Sequence, residues 1–223
     1  WQAPAHSAVL NEQNGYALTY APCRYAMKKR FELIDSVPQS EGFLTLARHT
    51  IRHQSYLGGW CPEIQRERLE GLCAVQVLMY DPQRDEVVMV EQFRVGTMGQ
   101  LEEPWILEPV GGFKDADEMP ELVARREALE EANCELQELL HIGDFFVSPG
   151  LSSERIHLYC ARVDSSGVGG VHGLAHEGEE VKVVVMPAQQ VIDELFGRIN
   201  STSAIIATQW FAANRDQLRK RWG

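Results

Sequence analysis

The sequence predicts an α/β fold in which a mixed sheet carries helices on both faces. Three observations predict it. Short runs rich in Val, Ile, Leu, Phe and Tyr, bounded by Gly, Pro and Asp, recur along the chain. One helical segment, residues 120–132, interrupts them, and two more helical segments close the chain. Strands, one helix, strands, then two helices is the order expected when helices cover both faces of one sheet. The 223 residues suffice for one large domain, or one domain with a small appendage.

The elements follow in order. Residues 1–15 are polar and small, with Pro4 and Gly15, and are expected to be loose. Two strands are predicted within residues 25–56, at 27–34 and 43–53, with Pro38 and Gly42 between them. The stretch 57–70 is polar, contains Gly58-Gly59 and Pro62, and reads as a boundary. The expected division is therefore a tail and small strand-rich subdomain over 1–60, then the main domain over 61–223. Strands at 72–80 and 86–93 flank Asp81-Pro82-Gln83-Arg84-Asp85, so they form a hairpin. A strand at 105–110 runs into Gly111-Gly112.

The helix at 120–132 starts on Pro120, which suits a first turn. Ala124, Ala128 and Ala132 recur every four residues, a small face that lets the helix approach a sheet closely. Further strands are predicted at 139–147, 156–163 and 181–186. Helices follow at 188–196 and 202–220, separated by a break at 197–201.

Composition narrows the function. The net charge is −11, so binding of nucleic acid through a basic face is not expected. No apolar run approaches the ~20 residues of a membrane span, and no stretch reads as a secretory signal. The five cysteines, Cys23, Cys61, Cys73, Cys134 and Cys160, are scattered and contain no Cys-x-x-Cys pair. Reduced thiols in a cytoplasmic protein are the expectation.

The most informative stretch is 112–134. Glu127, Glu130 and Glu131 stand at i, i+3 and i+4, so all three carboxylates share one helix face. Like charges at those spacings destabilise an isolated helix by roughly 0.2–0.5 kcal/mol per pair. They also sit toward the C-terminal end, where the macrodipole disfavours anions. A solvated acidic face is the ordinary reading of a charge run. The placement makes sense when a hard, oxygen-liganded divalent cation occupies that face.

The pattern Gly112, Glu118, Arg126, Glu127, Glu130, Glu131 resembles the signature of the Nudix hydrolases, which cleave nucleoside diphosphates linked to another group. One position departs: Asn133 stands where the family has Gly. Asn is the next choice after Gly for a left-handed helix end. The resemblance implies an α/β/α sandwich with a mixed sheet, two or more Mg²⁺ ions per site with Mn²⁺ as a possible substitute, and ligands drawn from Glu127, Glu130, Glu131 and the Gly111 carbonyl. Arg126 reads as an orienting partner of these carboxylates.

Residues outside the signature resemble the branch of that family that hydrolyses ADP-ribose. Pro149 in Ser148-Pro149-Gly150 lies 15 residues after Cys134, a distance typical of that branch, although an ordinary Pro-Gly turn reads the same way. Ser153-Glu154-Arg155 follows at a strand start, and Ser148 and Glu154 are candidate substrate contacts. The polar, Gly-rich segment 172–180 reads as a mobile loop. By residue match, Glu177 falls at the general base and Glu179 at an additional metal-proximal carboxylate. Arg94 matches a diphosphate contact, and Glu108 a substrate contact that could instead hold the site together. Phe43 and Arg66 match groups that stack on adenine, supplied partly by a second subunit; Phe43 could equally be core.

The implied activity is Mg²⁺-dependent hydrolysis of the ADP-ribose pyrophosphate to AMP and ribose 5-phosphate. The alternatives are another nucleoside diphosphate sugar such as GDP-mannose, a dinucleotide, or a non-catalytic nucleotide sensor of the same fold. The implied assembly is a homodimer with residues 25–56 at the interface. A segment that small buries too little core alone.

Overall fold

The computed structural model describes residues 29–174, 176 and 178–223. The loose tail expected at 1–15, Cys23 and the general-base candidate Glu177 lie outside them. Strands β1 (Phe31–Glu41), β2 (Thr45–His53) and β3 (Ile64–Glu70) form a three-stranded antiparallel sheet. A second sheet of eight strands contains β4 (Cys73–Asp81), β5 (Glu86–Phe93), β6 (Trp105–Glu108), β7 (Val110–Phe113), β8 (Leu139–Phe146), β9 (Arg155–Arg162), β10 (Val171–His172) and β11 (Val181–Pro187). Its order is β10-β11-β5-β4-β9-β8, with β6 on β5 and β7 on β4. Only the β4–β9 pair is parallel among its described ladders, so the sheet is mixed as predicted.

Helix α1 (Pro120–Ala132) packs on one face of this sheet, and α2 (Ala188–Asp193) and α3 (Thr202–Trp222) on the other. The alternation of β4 and β5 divides their side chains between two cores. Val75, Val77, Met79, Val88 and Val90 face α1, where Val123, Ala124, Ala128 and Ala132 complete the cluster. Leu78, Tyr80, Val87 and Met89 face α3, against Phe211, Leu218 and Trp222. Both faces of β4 are thus dry, as expected of a central strand with helices above and below. No helix among the described residues is long and apolar enough to cross a membrane.

Asn133 ends α1 in the left-handed conformation, with φ 48° and ψ 41°. Its N–H donates to Leu129 O at 3.0 Å, and Cys134 N–H to Ala128 O at 2.9 Å. The substitution of Gly by Asn is therefore absorbed by a conformation that Asn tolerates.

Several expectations needed correction. β1 continues through Pro38 to Glu41 rather than stopping at residue 34. Its ladder is interrupted between Leu33 and Asp35 and between Pro38 and Ser40, the irregular edge setting in which proline is allowed. The supposed boundary at 57–70 contains β3, so the N-terminal sheet extends to Glu70. Its Arg66, Glu67, Arg68 and Glu70 hide the strand, because charged residues are common on an exposed edge. The strand expected at 105–110 is split by Pro109 into β6 and β7. β10 was not anticipated; its two residues pair with β11 at the root of the Gly-rich loop.

Hydrogen bonds tie β3 and the residue after it to the loop that connects β8 and β9. Leu69 N–H donates to Leu151 O and Ser153 N–H to Leu69 O, both at 3.0 Å. Gly71 N–H donates to Ser153 Oγ at 3.0 Å.

Candidate active site

Helix α1 presents Arg126, Glu127, Glu130 and Glu131 to a cavity of ≈ 950 Å³. The floor is β7, whose glycines allow the helix to approach. A Cβ on Gly111 would overlap the Val75 carbonyl, and one on Gly112 would overlap the Glu127 carboxylate. Gly111 is therefore required by close approach of backbone, whereas a side chain at Gly112 would have to push the Glu127 carboxylate aside.

Arg126 fans across the acids. Its Nη1 donates to Glu127 Oε1 at 2.7 Å and to Glu130 Oε2 at 3.0 Å. Nη2 donates to Phe113 O at 3.3 Å and lies 3.8 Å from Glu118 Oε2. One guanidinium thus aims three carboxylates of the signature, an orienting arrangement. Glu131 is 2 % exposed and accepts the Gly111 N–H at 2.9 Å.

Burial pushes the Glu131 carboxyl up from 4.5 to about 8; Glu127 and Glu179 add to the shift, and the Gly111 N–H opposes it. Burial likewise raises Glu127 to about 7, against the opposing Arg126 charge and with Glu130 and Glu179 reinforcing the shift. Two buried carboxylates with raised proton affinity are poor anions until a cation joins them.

The cavity collects other predicted residues. Arg94, Glu108, Glu154 and Glu179 all line it. Arg94 Nε donates to Glu108 Oε2 at 2.7 Å, and Glu108 is 6 % exposed. Glu108 therefore holds Arg94 toward the cavity. Burial raises Glu154, with Arg94 opposing.

Ser148 does not line the cavity. Its carbonyl accepts the Leu151 and Ser152 N–H groups, both at 2.9 Å, so the Ser-Pro-Gly segment is a shaped turn beside the wall residue Val147. Arg66 lies on β3 away from its own chain's cavity, donating to Gln65 O at 2.7 Å. Phe43 is not core: it lies in the bend between β1 and β2, 87 % exposed, edge-on to the cavity residue Phe113 with centroids 5.8 Å apart.

The far wall was missed from the sequence. Asn200, Ser201, Thr202 and Ser203 bring the start of α3 to the cavity. Ser201 makes no capping bond, and its buried Oγ has no partner among the described residues. Gln76 of β4 lines the cavity, and its buried Oε1 has no partner among the described residues. The polar, Ser-rich helix start was a legible hint; its place in space was not.

Among the described residues, eight carboxylates (Glu108, Asp115, Glu118, Glu127, Glu130, Glu131, Glu154 and Glu179) face two guanidiniums, Arg94 and Arg126, in this cavity. A phosphate anion could not enter so negative a site by itself. The all-oxygen donor set on α1 fits hard divalent cations, which would offset much of that field.

Residues 73–207 match the NUDIX domain, and the chain belongs to that family. Among its relatives, the ADP-ribose pyrophosphatase of Haemophilus influenzae is 38 % identical over 195 residues, covering 86 % of this chain and 90 % of the relative. The ADP-ribose pyrophosphatase of Escherichia coli K12 is 36 % identical over 198 residues, covering 87 % and 94 %. A solved structure described as an ADP compounds hydrolase superposes with a TM-score of 0.64 at 18 % identity, covering 86 % of this chain and 96 % of the other, which supports the fold.

Gly112→Ala is expected to lower metal-activated turnover by about 10²-fold, the scale of a 1 Å misplacement in an active site. The new methyl displaces Glu127, which Arg126 otherwise pins. Mg²⁺ titration of the rate checks this. A normal Mg²⁺ dependence would mean that Glu127 has room to move without consequence.

Proposed function

We propose that the protein is a Mg²⁺-dependent ADP-ribose pyrophosphatase that yields AMP and ribose 5-phosphate. The observation that carries this reading is the convergence of the α1 carboxylates, the Arg94–Glu108 pair and Glu179 in one acidic cavity. The identity to the two pyrophosphatases supports the choice of ADP-ribose.

Bound Mg²⁺ would supply charge neutralisation and an acidified water. Glu127 and Glu131, with Glu130 third and the Gly111 carbonyl beside them, are the residues that would hold it. Glu179 is close enough to perturb both Glu127 and Glu131, which suits an additional carboxylate near the ions. Arg126 keeps the acids aimed. Arg94, braced by Glu108, is proposed to bind the diphosphate. Glu177 is proposed to take the proton of the attacking water. Glu154 and Ser148 are proposed to shape the substrate pocket, and Phe43 and Arg66, supplied partly by a second subunit, to stack on the adenine.

A substrate panel with mass analysis of products in ¹⁸O-water tests this. ADP-ribose is expected to be hydrolysed fastest, leaving AMP and ribose 5-phosphate with one labelled phosphate. Faster turnover of GDP-mannose or a dinucleotide would replace the substrate. Tight nucleotide binding with no hydrolysis in Mg²⁺ would make the protein a sensor.

The assembly proposed is a homodimer through the N-terminal sheet. Phe31 (78 % exposed), Leu33, Ile34 and Val37 leave an apolar strand uncovered, and three strands alone are a marginal unit. Sedimentation at micromolar concentration is expected to give the mass of two chains; one chain would remove the partner-supplied adenine contacts. The cytoplasm is the proposed location, and the buried free thiols of Cys134 and Cys160 suit a reducing compartment.

A further inference from the structure

A second cluster of ligating side chains lies outside the cavity, on the β8–β9 edge of the large sheet. His141 Nε2 is 2.7 Å from Asp144 Oδ1, and His157 Nδ1 is 2.8 Å from the same oxygen. The three ligand atoms all lie within 4.8 Å of one another. None of the three residues lines the carboxylate cavity.

The backbone is arranged to bring them together. In a regular strand, residues three apart point to opposite faces. The β8–β9 register shifts between His141 and Gly143, so His141 pairs with Tyr159 while Asp144 pairs with His157. This bulge places His141 and Asp144 on one face, a usual way for a strand to re-aim a side chain. Ile156 and Leu158 enter the α3-side core, so His157 between them faces the α1 side, as Tyr159 does. The His141 ring lies against Tyr159, with centroids 5.2 Å apart.

The other oxygen of Asp144 is also held. Arg155 Nη2 donates to Oδ2 at 2.8 Å, which fixes the carboxylate plane and leaves Oδ1 toward the imidazoles. Outer hydrogen bonds of this kind orient metal ligands. We propose that His141, Asp144 and His157 form a binding site for a borderline transition-metal ion such as Zn²⁺, separate from the carboxylate cavity. The donor set is two imidazoles and one carboxylate on a partly open surface, which leaves positions for water. Its single carboxylate is already paired with Arg155, so little charge remains to attract Mg²⁺. Imidazole nitrogen is the preference of Zn²⁺ and its neighbours. Seating the ion requires the three ligand atoms to move from contact with one another to contact with it, a shift of well under a residue's width.

The test is a Zn²⁺ titration of the whole chain against a chromogenic chelator, with Mg²⁺ in excess to occupy the carboxylate cavity. The same titration is run on H141A and H157A, with melting curves to verify folding. His141 is half exposed, so its removal should leave the fold intact. The wild type is expected to take up one Zn²⁺ that each variant binds more than about tenfold more weakly, since losing a ligand costs at least what losing an outer partner does. As a readout independent of the variants, the ring resonances of His141 and His157 are followed in the wild type. They should shift with Zn²⁺ and not with Mg²⁺. Equal Zn²⁺ uptake by wild type and H141A overturns the proposal. So do unmoved His141 and His157 resonances in the wild type, whatever the variants do.

Discussion

Glu131→Gln is expected to abolish most hydrolysis while leaving the metal-free protein as stable as the wild type, or more so. The side chain is 2 % exposed, and its carboxyl is raised to about 8 by burial first and by Glu127 and Glu179 after it. Gln keeps an oxygen for the Gly111 N–H and removes the charge that burial penalises. As a proposed ligand of Mg²⁺, Glu131 would lose its full charge, so activation by Mg²⁺ should weaken sharply. Near-normal turnover at limiting Mg²⁺ would take Glu131 off the list of ligands.

The same residue sets a pH signature. A carboxyl whose folded pKa lies above its unfolded value binds more protons in the native state between the two. Stability of the metal-free wild type should therefore fall as pH rises from about 4.5 to about 8, the window spanned by Glu131, with Glu127 contributing up to about 7. Glu131→Gln should flatten that slope. Metal held by these carboxylates should reverse it, because ligands must lose their protons to bind. Added Mg²⁺ should raise the melting temperature more at pH 8 than at pH 6. Melting curves at several pH values, with and without Mg²⁺, decide this; an equal Mg²⁺ effect at both pH values would mean that the buried carboxylates are not its ligands.

The parts of this molecule that were legible are those set by local periodicity. β5 matched its predicted bounds because its alternation and its Asp-Pro turn are both local signals. The bounds of α1 matched because Pro120 opens it and Asn133, at φ 48°, closes it. The acidic face was legible because helix spacing alone puts Glu127, Glu130 and Glu131 together. The rest depends on distant chain segments. β3 was lost because its charges hide a strand that pairs along β2. The Ser201–Ser203 wall and Gln76 reach the cavity from α3 and β4, more than a hundred residues apart in sequence. The His141–Asp144–His157 cluster depends on a bulge that side-chain patterning does not announce. Arg94 and Glu108 were each picked out by resemblance, but their 2.7 Å pairing is a tertiary fact.

Glu177→Gln is expected to reduce the turnover number by at least about 10²-fold with a much smaller effect on the Michaelis constant. Proton transfer is made only in the transition state, so its loss should spare ground-state binding. Glu177 itself lies outside the described residues; in the same loop Leu174, three residues before it, and Glu179, two after it, line the cavity, and Glu179 N–H donates to Leu174 O at 3.3 Å. Most other acids of the site are already engaged. Arg94 pairs with Glu108, Arg126 takes Glu118, Glu127 and Glu130, and Glu131 accepts the Gly111 N–H. Asp115, Glu154 and Glu179 are left, and of these Glu154, near Arg94, and Glu179, near Glu127 and Glu131, are the competing bases to exclude first. Glu179→Gln should act partly through metal and be partly rescued by higher Mg²⁺, because Glu179 bears electrostatically on both Glu127 and Glu131. Glu154→Gln should change the Michaelis constant more than the turnover number, as expected of a pocket residue near Arg94. Steady-state kinetics of the three variants across Mg²⁺ concentrations separates these roles. If Glu177→Gln keeps more than about a tenth of the rate, its loss is below the scale of a general base. Whichever of the other two variants then shows a fall in turnover that Mg²⁺ does not rescue identifies the residue that takes the proton.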